Sequence, residues 1–252
     1  MDVLLIRGMG REARHWGDFP ERLRARMPQT RPVALDPPGV GTEHHRRAPL
    51  RMSQVVDDMR SRWHPTRTDQ PRVVFGISFG GMVALKWAER HPSDFDFVVV
   101  ANTSAANVGR PFQRITPIAL RGVARGMRER DPLTREENIL EIICNAPDRR
   151  AAIAPKWAAL AQDAKVGRST VVRQILAGAP FRAPKQLRQP VLVLSSPNDR
   201  FVDPRCSVRL AHRLGATLRE HPTAGHAISV DAPSWTVERI VEWLRHESGS
   251  AG

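Results

Sequence analysis

Tyrosine is absent from this chain, cysteine occurs twice, and lysine only four times. Two cysteines, Cys144 and Cys206, exclude a disulfide scaffold and any cysteine-rich zinc module. No segment approaches the roughly 18 consecutive apolar residues of a helical membrane span. The opening Met1-Asp2-Val3-Leu4-Leu5-Ile6-Arg7 lacks the basic start and long apolar stretch of a secretory signal, so the cytoplasm is the expected compartment. No run of five or more like charges offers a nucleic-acid arm. The missing tyrosines also remove the usual stacking platforms for bases, so no nucleic-acid partner is expected.

What is present fits a globular protein. Of 252 residues, 41% are hydrophobic and 26% charged. A chain of this length buries roughly 70–75% of its unfolded surface, enough for a core that needs no metal or disulfide. Basic residues number 39 against 26 acidic, a net charge of +13, and subtracting the four lysines leaves 35 arginines. They are spread along the whole chain, which reads as arginine filling solvated positions rather than as one polyanion-binding patch.

Short β-branched runs recur at wide intervals: 3–6, 33–35, 73–75, 97–100, 191–194 and, more weakly, 217–220. Their apolarity is continuous rather than alternating, which predicts strands covered on both faces, hence a parallel sheet with helices on either side. Helices are predicted around 16–27, 53–63, 80–90, 205–214 and 233–246. The alternation specifies an α/β three-layer architecture. From 105 to 185 the rhythm breaks. Apolar residues there recur at helical spacing, as in Ile139, Leu140, Ile142 and Ile143, and prolines at 111, 117, 132, 147, 155 and 180 divide the segment into short helices. Between 105 and 182 stand 14 basic and 7 acidic residues, so this insert carries about half of the net charge. The expected organisation is a core of 1–104 and 186–252 interrupted by a helical lid, 105–185. The tail from Ser248 to Gly252 reads as frayed.

The run 73–75 leads directly into Gly76-Ile77-Ser78-Phe79-Gly80-Gly81 and then a helical stretch. A serine between strand and helix in a Gly-x-Ser-x-Gly turn is held on a strained backbone, with its hydroxyl lifted above the sheet at a helix N-terminus. Such a hydroxyl needs a base, and the base an orienting acid. Among nine histidines, His226 follows the last strand candidate in a small-residue loop, at the same sheet edge as Ser78. Asp199 follows the fifth strand at that edge. Asp203 is its rival but reads better as a cap before Pro204 and the next helix. The chain order Ser78, Asp199, His226 is that of one particular fold.

These residues identify the chain as resembling the α/β-hydrolase fold proteins. Arg7-Gly8-Met9-Gly10 resembles the family's His-Gly oxyanion loop, with Trp16 following, although Arg7 stands where the family usually has histidine. Asp36-Pro37-Pro38-Gly39-Val40-Gly41 resembles the block after the next strand, and 198–204 with Gly225-His226 completes the set. The chain opens on the strand leading to the oxyanion loop. The antiparallel strands that usually begin this fold therefore have no room, and about six parallel strands are expected. The resemblance implies that the backbone amides of Met9 and Phe79 hold the oxyanion, with both side chains lining an acyl pocket. Trp16 is core or pocket wall. Cys144 and Cys206 are bland buried residues.

The activity implied is ester hydrolysis by Ser78 with His226 as base and Asp199 orienting it, without metal or organic cofactor. Thioester, amide and carbon–carbon bond hydrolysis and acyl transfer use the same triad and stay open, as does a non-catalytic ligand binder. A serine nucleophile argues against haloalkane and epoxide chemistry, for which this fold uses aspartate. The substrate expected is a small ester, and the basic lid would suit one carried by an acidic carrier protein.

Overall fold

The computed structural model describes residues 1–65, 70–164 and 166–249. Six strands form one sheet: β1 (Asp2–Ile6), β2 (Arg31–Ala34), β3 (Arg72–Ile77), β4 (Phe97–Ala101), β5 (Val191–Ser195) and β6 (Thr217–Glu220). Their order is β2-β1-β3-β4-β5-β6, and every neighbouring pair is parallel. All six expected strands are present.

The continuous apolar runs have a direct physical cause. Successive side chains of a strand point to opposite faces, and here each face carries its own core. Leu4 and Ile6 of β1, Val74 of β3, Val98 and Val100 of β4, and Val193 of β5 enter one cluster. Val3 and Leu5, Val73 and Phe75, Val99 and Ala101, and Leu192 and Leu194 enter the other. The first cluster is closed by α2 (Met52–Arg62), α3 (Phe79–Arg90) and α9 (Arg205–Leu214), and includes the fully buried Trp87. The second is closed by α1 (Phe19–Arg26) and α11 (Pro233–Gly249). Each fully buried Leu, Val or Phe contributes about 1.5–3 kcal/mol, so two faces of such side chains make the sheet the stable part of the molecule.

Between β4 and β5 the chain forms only helices among the described residues: α4 (Pro111–Arg114), α5 (Pro117–Arg128), α6 (Pro132–Ile143), α7 (Pro147–Asp163) and α8 (Arg168–Gly178). Four of the six prolines stand at helix starts, where the missing N–H costs nothing. Thr116 and Asp131 cap α5 and α6 by accepting from Ala119 N and Thr134 N. Pro155 departs from expectation. It lies inside α7 rather than dividing it, because Ala154, Trp157 and Ala158 hold that helix by packing and one lost backbone bond does not break it. Trp157 and Ala154 join Leu140, Ile143 and Cys144 in a third, smaller core. A short α10 (Ile228–Asp231) precedes α11, which continues through Gly249, so the expected fraying does not begin at Ser248. Residues 250–252 lie outside the described part. No described helix is long and apolar enough to cross a membrane.

Strand order reverses direction between β1 and β3, since β1 connects outward to β2 and the chain then crosses back to β3. The crevice beyond the carboxyl ends of two such strands is where open α/β sheets bind ligands. Residues 7–11 leave β1 at that edge and Ser78 leaves β3. The close approach is fixed by glycine. A Cβ on Gly80 would collide with the Ile6 carbonyl oxygen and stand 2.6 Å from that of Arg7. Both are backbone atoms that cannot give way. Gly80→Ala is therefore expected to destabilise the fold by about 3 kcal/mol, read as a lower urea midpoint with unchanged slope.

Candidate active site

Ser78 occupies φ 57°, ψ −118° between β3 and α3, a left-handed conformation unusual for any residue but glycine. The turn closes because a Cβ on Gly76 would collide with Gly80 O and stand 2.7 Å from Gly81 N. The Ser78 carbonyl accepts from Thr103 Oγ1 at 2.7 Å and from Gly81 N at 3.0 Å, which pins the turn to the start of α3. The hydroxyl is thus positioned by backbone geometry rather than by side-chain partners.

His226 follows β6 and lies in contact with Asp199, Nδ1 to Oδ2 at 2.7 Å. Asp199 Oδ1 accepts from the amides of Phe201 at 2.7 Å and Val202 at 3.0 Å, so both carboxylate oxygens are engaged. Asp203 plays a different part. It accepts from Arg205 N at 2.9 Å at the start of α9 and pairs with the Arg205 guanidinium. The Phe201 ring stacks on the imidazole, centroids 4.7 Å apart. Ser78 and His226 line the same cavity, of about 540 Å³. No hydrogen bond joins the Ser78 hydroxyl to His226 among the described residues. Such bonds are often long without substrate.

Met9 and Phe79 differ. Neither backbone amide donates to a protein acceptor among the described residues, so both are uncommitted. Met9 lines the cavity and packs against the first core, whereas the Phe79 ring is buried in that core and does not form the expected wall. Trp16 packs against Phe19 and Phe75 in the second core. The residue of that turn lining the cavity is His15. The block after β2 proves to be a brace. Asp36 is buried and accepts from Ala13 N at 2.6 Å and Thr42 N at 2.9 Å, tying the segments after β1 and β2 together.

Two further residues hold the site, and neither was visible in the sequence. Asn102, at the end of β4, also has positive φ, 46°. Its Nδ2 donates to His226 O at 2.9 Å and Gly225 O at 3.2 Å, while its Oδ1 accepts from Ser196 N at 3.0 Å. It thus clamps the histidine loop to the loop bearing Asp199. Asp231 accepts from the amides of Gly225 at 2.5 Å and Ala146 at 3.1 Å and from the Cys144 thiol at 2.7 Å, joining the histidine loop to the end of α6. Burial, with Asp231 beside it, pushes the Cys144 thiol up to about 12, so it stays protonated. Only the positive φ position of an Asn after a strand could have drawn attention to Asn102, and a sequence does not display φ.

The chain from residue 2 to 233 matches the family model described as serine aminopeptidase, S33, a family of the α/β-hydrolase fold. The chain belongs to this family. Solved α/β-hydrolases superpose over nearly its whole length. The Rhodococcus sp. strain RHA1 2-hydroxy-6-oxo-6-phenylhexa-2,4-dienoate hydrolase gives a TM-score of 0.76 at 22% identity, covering 97% of this chain and 90% of its own. A thermophilic esterase from Thermogutta terrifontis gives 0.73 at 20% identity, covering 98% and 90%. An esterase from Exiguobacterium antarcticum gives 0.73 at 16%, covering 97% and 92%. At such identities the likeness shows the fold alone.

Two outcomes follow for this α/β-hydrolase. Asn102→Ala strips partners from two carbonyls and one amide and is expected to cost about 2–4 kcal/mol in urea unfolding, with a fall in turnover. The second concerns His15, which is buried, with Glu12 N donating to its Nδ1 at 3.2 Å. Burial first, then the charges of Arg11 and Arg7, push its imidazole well below the usual range. The unfolded chain therefore takes up this proton first as pH falls. The His15 contribution is intact above about pH 6.5 and erodes below it, by up to about 1.4 kcal/mol per pH unit. His15→Gln should flatten that part of the stability curve, measured by urea midpoints between pH 7 and 5.

Proposed function

We propose that this hydrolase cleaves a carboxylic ester through an acyl-enzyme on Ser78. The observation that carries the reading is the joint lining of one cavity by a serine in left-handed backbone geometry and a histidine bonded to a buried carboxylate. With Nδ1–H directed to Asp199, the Nε2 of His226 is free to take the Ser78 proton as Oγ attacks the carbonyl carbon. The charge that develops on the carbonyl oxygen meets the uncommitted amides of Met9 and Phe79. One such donor is typically worth about 3–4 kcal/mol in acyl-transfer enzymes. His226 then returns the proton to the leaving alcohol, and a water attacks the acyl group by the same route. Asp199 stabilises the imidazolium, and its own two amide donors hold the carboxylate in place.

The insert, 105–185, would act as the lid of this site, with the sheet core formed by 1–104 and 186–252. Val123, Met127, Ile139, Leu160 and Val171 give the cavity an apolar wall on that side, suited to a hydrocarbon acyl or alcohol group. A second reading concerns delivery. Arg121, Arg125 and Arg128 are exposed along α5 around a surface depression, and they would attract an ester tethered to an acidic carrier protein. Faster turnover of carrier-bound than free ester at low salt, lost at high salt, would support it. A cytoplasmic setting belongs to the same proposal.

The decisive measurement is active-site labelling. A fluorophosphonate is expected to modify the wild type at Ser78 and to leave Ser78→Ala unmodified. In the same variant, hydrolysis of short-chain p-nitrophenyl esters should fall by at least about 10⁴-fold. A wild type that neither labels nor hydrolyses such esters would instead indicate a ligand binder on this fold.

A further inference from the structure

Arg7 is buried beside the candidate nucleophile, and no described acid pairs with it. The residue is 4% exposed and lines the cavity. Its Nη1 donates to Ser229 Oγ at 2.8 Å, and its guanidinium lies over the Trp16 ring at 4.8 Å. Its Nε is buried without an acceptor, and neither Nε nor Nη2 forms a hydrogen bond among the described residues. The neighbouring cation provides the contrast. Arg11 has Glu136 at 2.6 Å, and Glu12 in turn is held by Arg14. Among the described residues no carboxylate does the same for Arg7, and the charged group that acts on it is Arg11. Burial, reinforced by Arg11, pushes the Arg7 guanidinium down to about 9, so it remains a cation at neutral pH.

A lone buried cation is among the most costly features a fold can carry, and replacement by an apolar side chain is commonly neutral or stabilising. Trp16 and Ser229 offset part of that cost but supply no negative charge. Such uncompensated groups are kept where a ligand completes them. We propose that Arg7 anchors an anion subsite in the cavity, and that the ester cleaved carries an ionised carboxylate a few bonds from its scissile carbonyl. This rests on the Ser78 reading for the chemistry but not for the binding. Proximity follows from the chain itself. Gly8 separates Arg7 from the Met9 amide, and a Cβ on Gly8 would stand 3.3 Å from Ser78 Cβ. The missing charge is a single one, which a carboxylate supplies. A phosphate dianion would exceed it. Nη2, which forms no hydrogen bond among the described residues, is the donor left for a carboxylate oxygen, while Nε is closed off by its packing.

The test compares two esters of equal length, mono-p-nitrophenyl glutarate and p-nitrophenyl pentanoate, on the wild type and on Arg7→Met. Methionine keeps the length of the chain and its packing on Trp16 while removing the charge. The wild type should favour the glutarate by about tenfold or more in kcat/KM, the range of one hydrogen-bonded charge pair, and Arg7→Met should bring the ratio near one. In parallel, free glutarate should raise the melting temperature of the wild type and of Ser78→Ala but not of Arg7→Met. Without ligand, Arg7→Met should melt no lower than the wild type. Equal turnover of the two esters by the wild type, or a preference that survives in Arg7→Met, overturns the subsite and leaves the hydrolase reading intact. An Arg7→Met chain that melts markedly lower or does not fold shows a structural arginine and also overturns it. If neither ester is turned over, the esterase reading fails, and the glutarate melting shift alone decides the subsite.

Discussion

The contact between Gly76 and the Gly80–Gly81 backbone, which leaves no room for a Cβ, is the constraint from which the geometry of the site follows. It forces the chain to turn from β3 into α3 within two residues and drives Ser78 to positive φ. Gly80 is pressed in turn against the carbonyls of Ile6 and Arg7, so the elbow and the end of β1 are locked to each other. The residues that follow β1 therefore lie beside the serine. Strain at the turn is sustained by the two buried faces of the sheet, whose strands admit no other register without moving apolar side chains to the wrong core.

The rest of the site is held by polar groups that cross between loops. Asn102 bridges the loops bearing Asp199 and His226, and Asp231 fastens the histidine loop to the end of α6. Asp36 does the same for the segments after β1 and β2. Each accepts or donates hydrogen bonds at backbone atoms of more than one loop. The loops carry the proposed chemistry, and these few side chains make them rigid enough to carry it.

Charge sorts itself in a comparable way. Most arginines stand at the surface or beside acids, in keeping with a general compositional habit. Arg7 and Arg11 are different, since both are buried beside the cavity, and only Arg11 is balanced by a carboxylate. The overall excess of +13 is therefore a poor guide to function, while the position of one cation in it is informative.

Much of this molecule is legible in the order of its residues. The apolar runs of β1, β3, β4 and β5 read as strands buried on two faces, and Gly76-Ile77-Ser78-Phe79-Gly80 as a tight strand-to-helix turn, because both are local consequences of side-chain volume and backbone sterics. Chain order then puts Asp199 and His226 at the same sheet edge. What the linear pattern does not express is any relation between distant backbone groups. Asn102 and Asp231 look like ordinary loop residues until their partners arrive. Phe79 looks like a pocket wall until its ring is seen in the core, and Pro155 looks like a helix break until packing holds α7 together. Sequence by itself determined the elements, the sheet and the candidate nucleophile, since these rest on local periodicity and steric exclusion. Tertiary structure alone decided which polar groups are satisfied and that Arg7 is not, since pairing depends on positions in space that no spacing along the chain records.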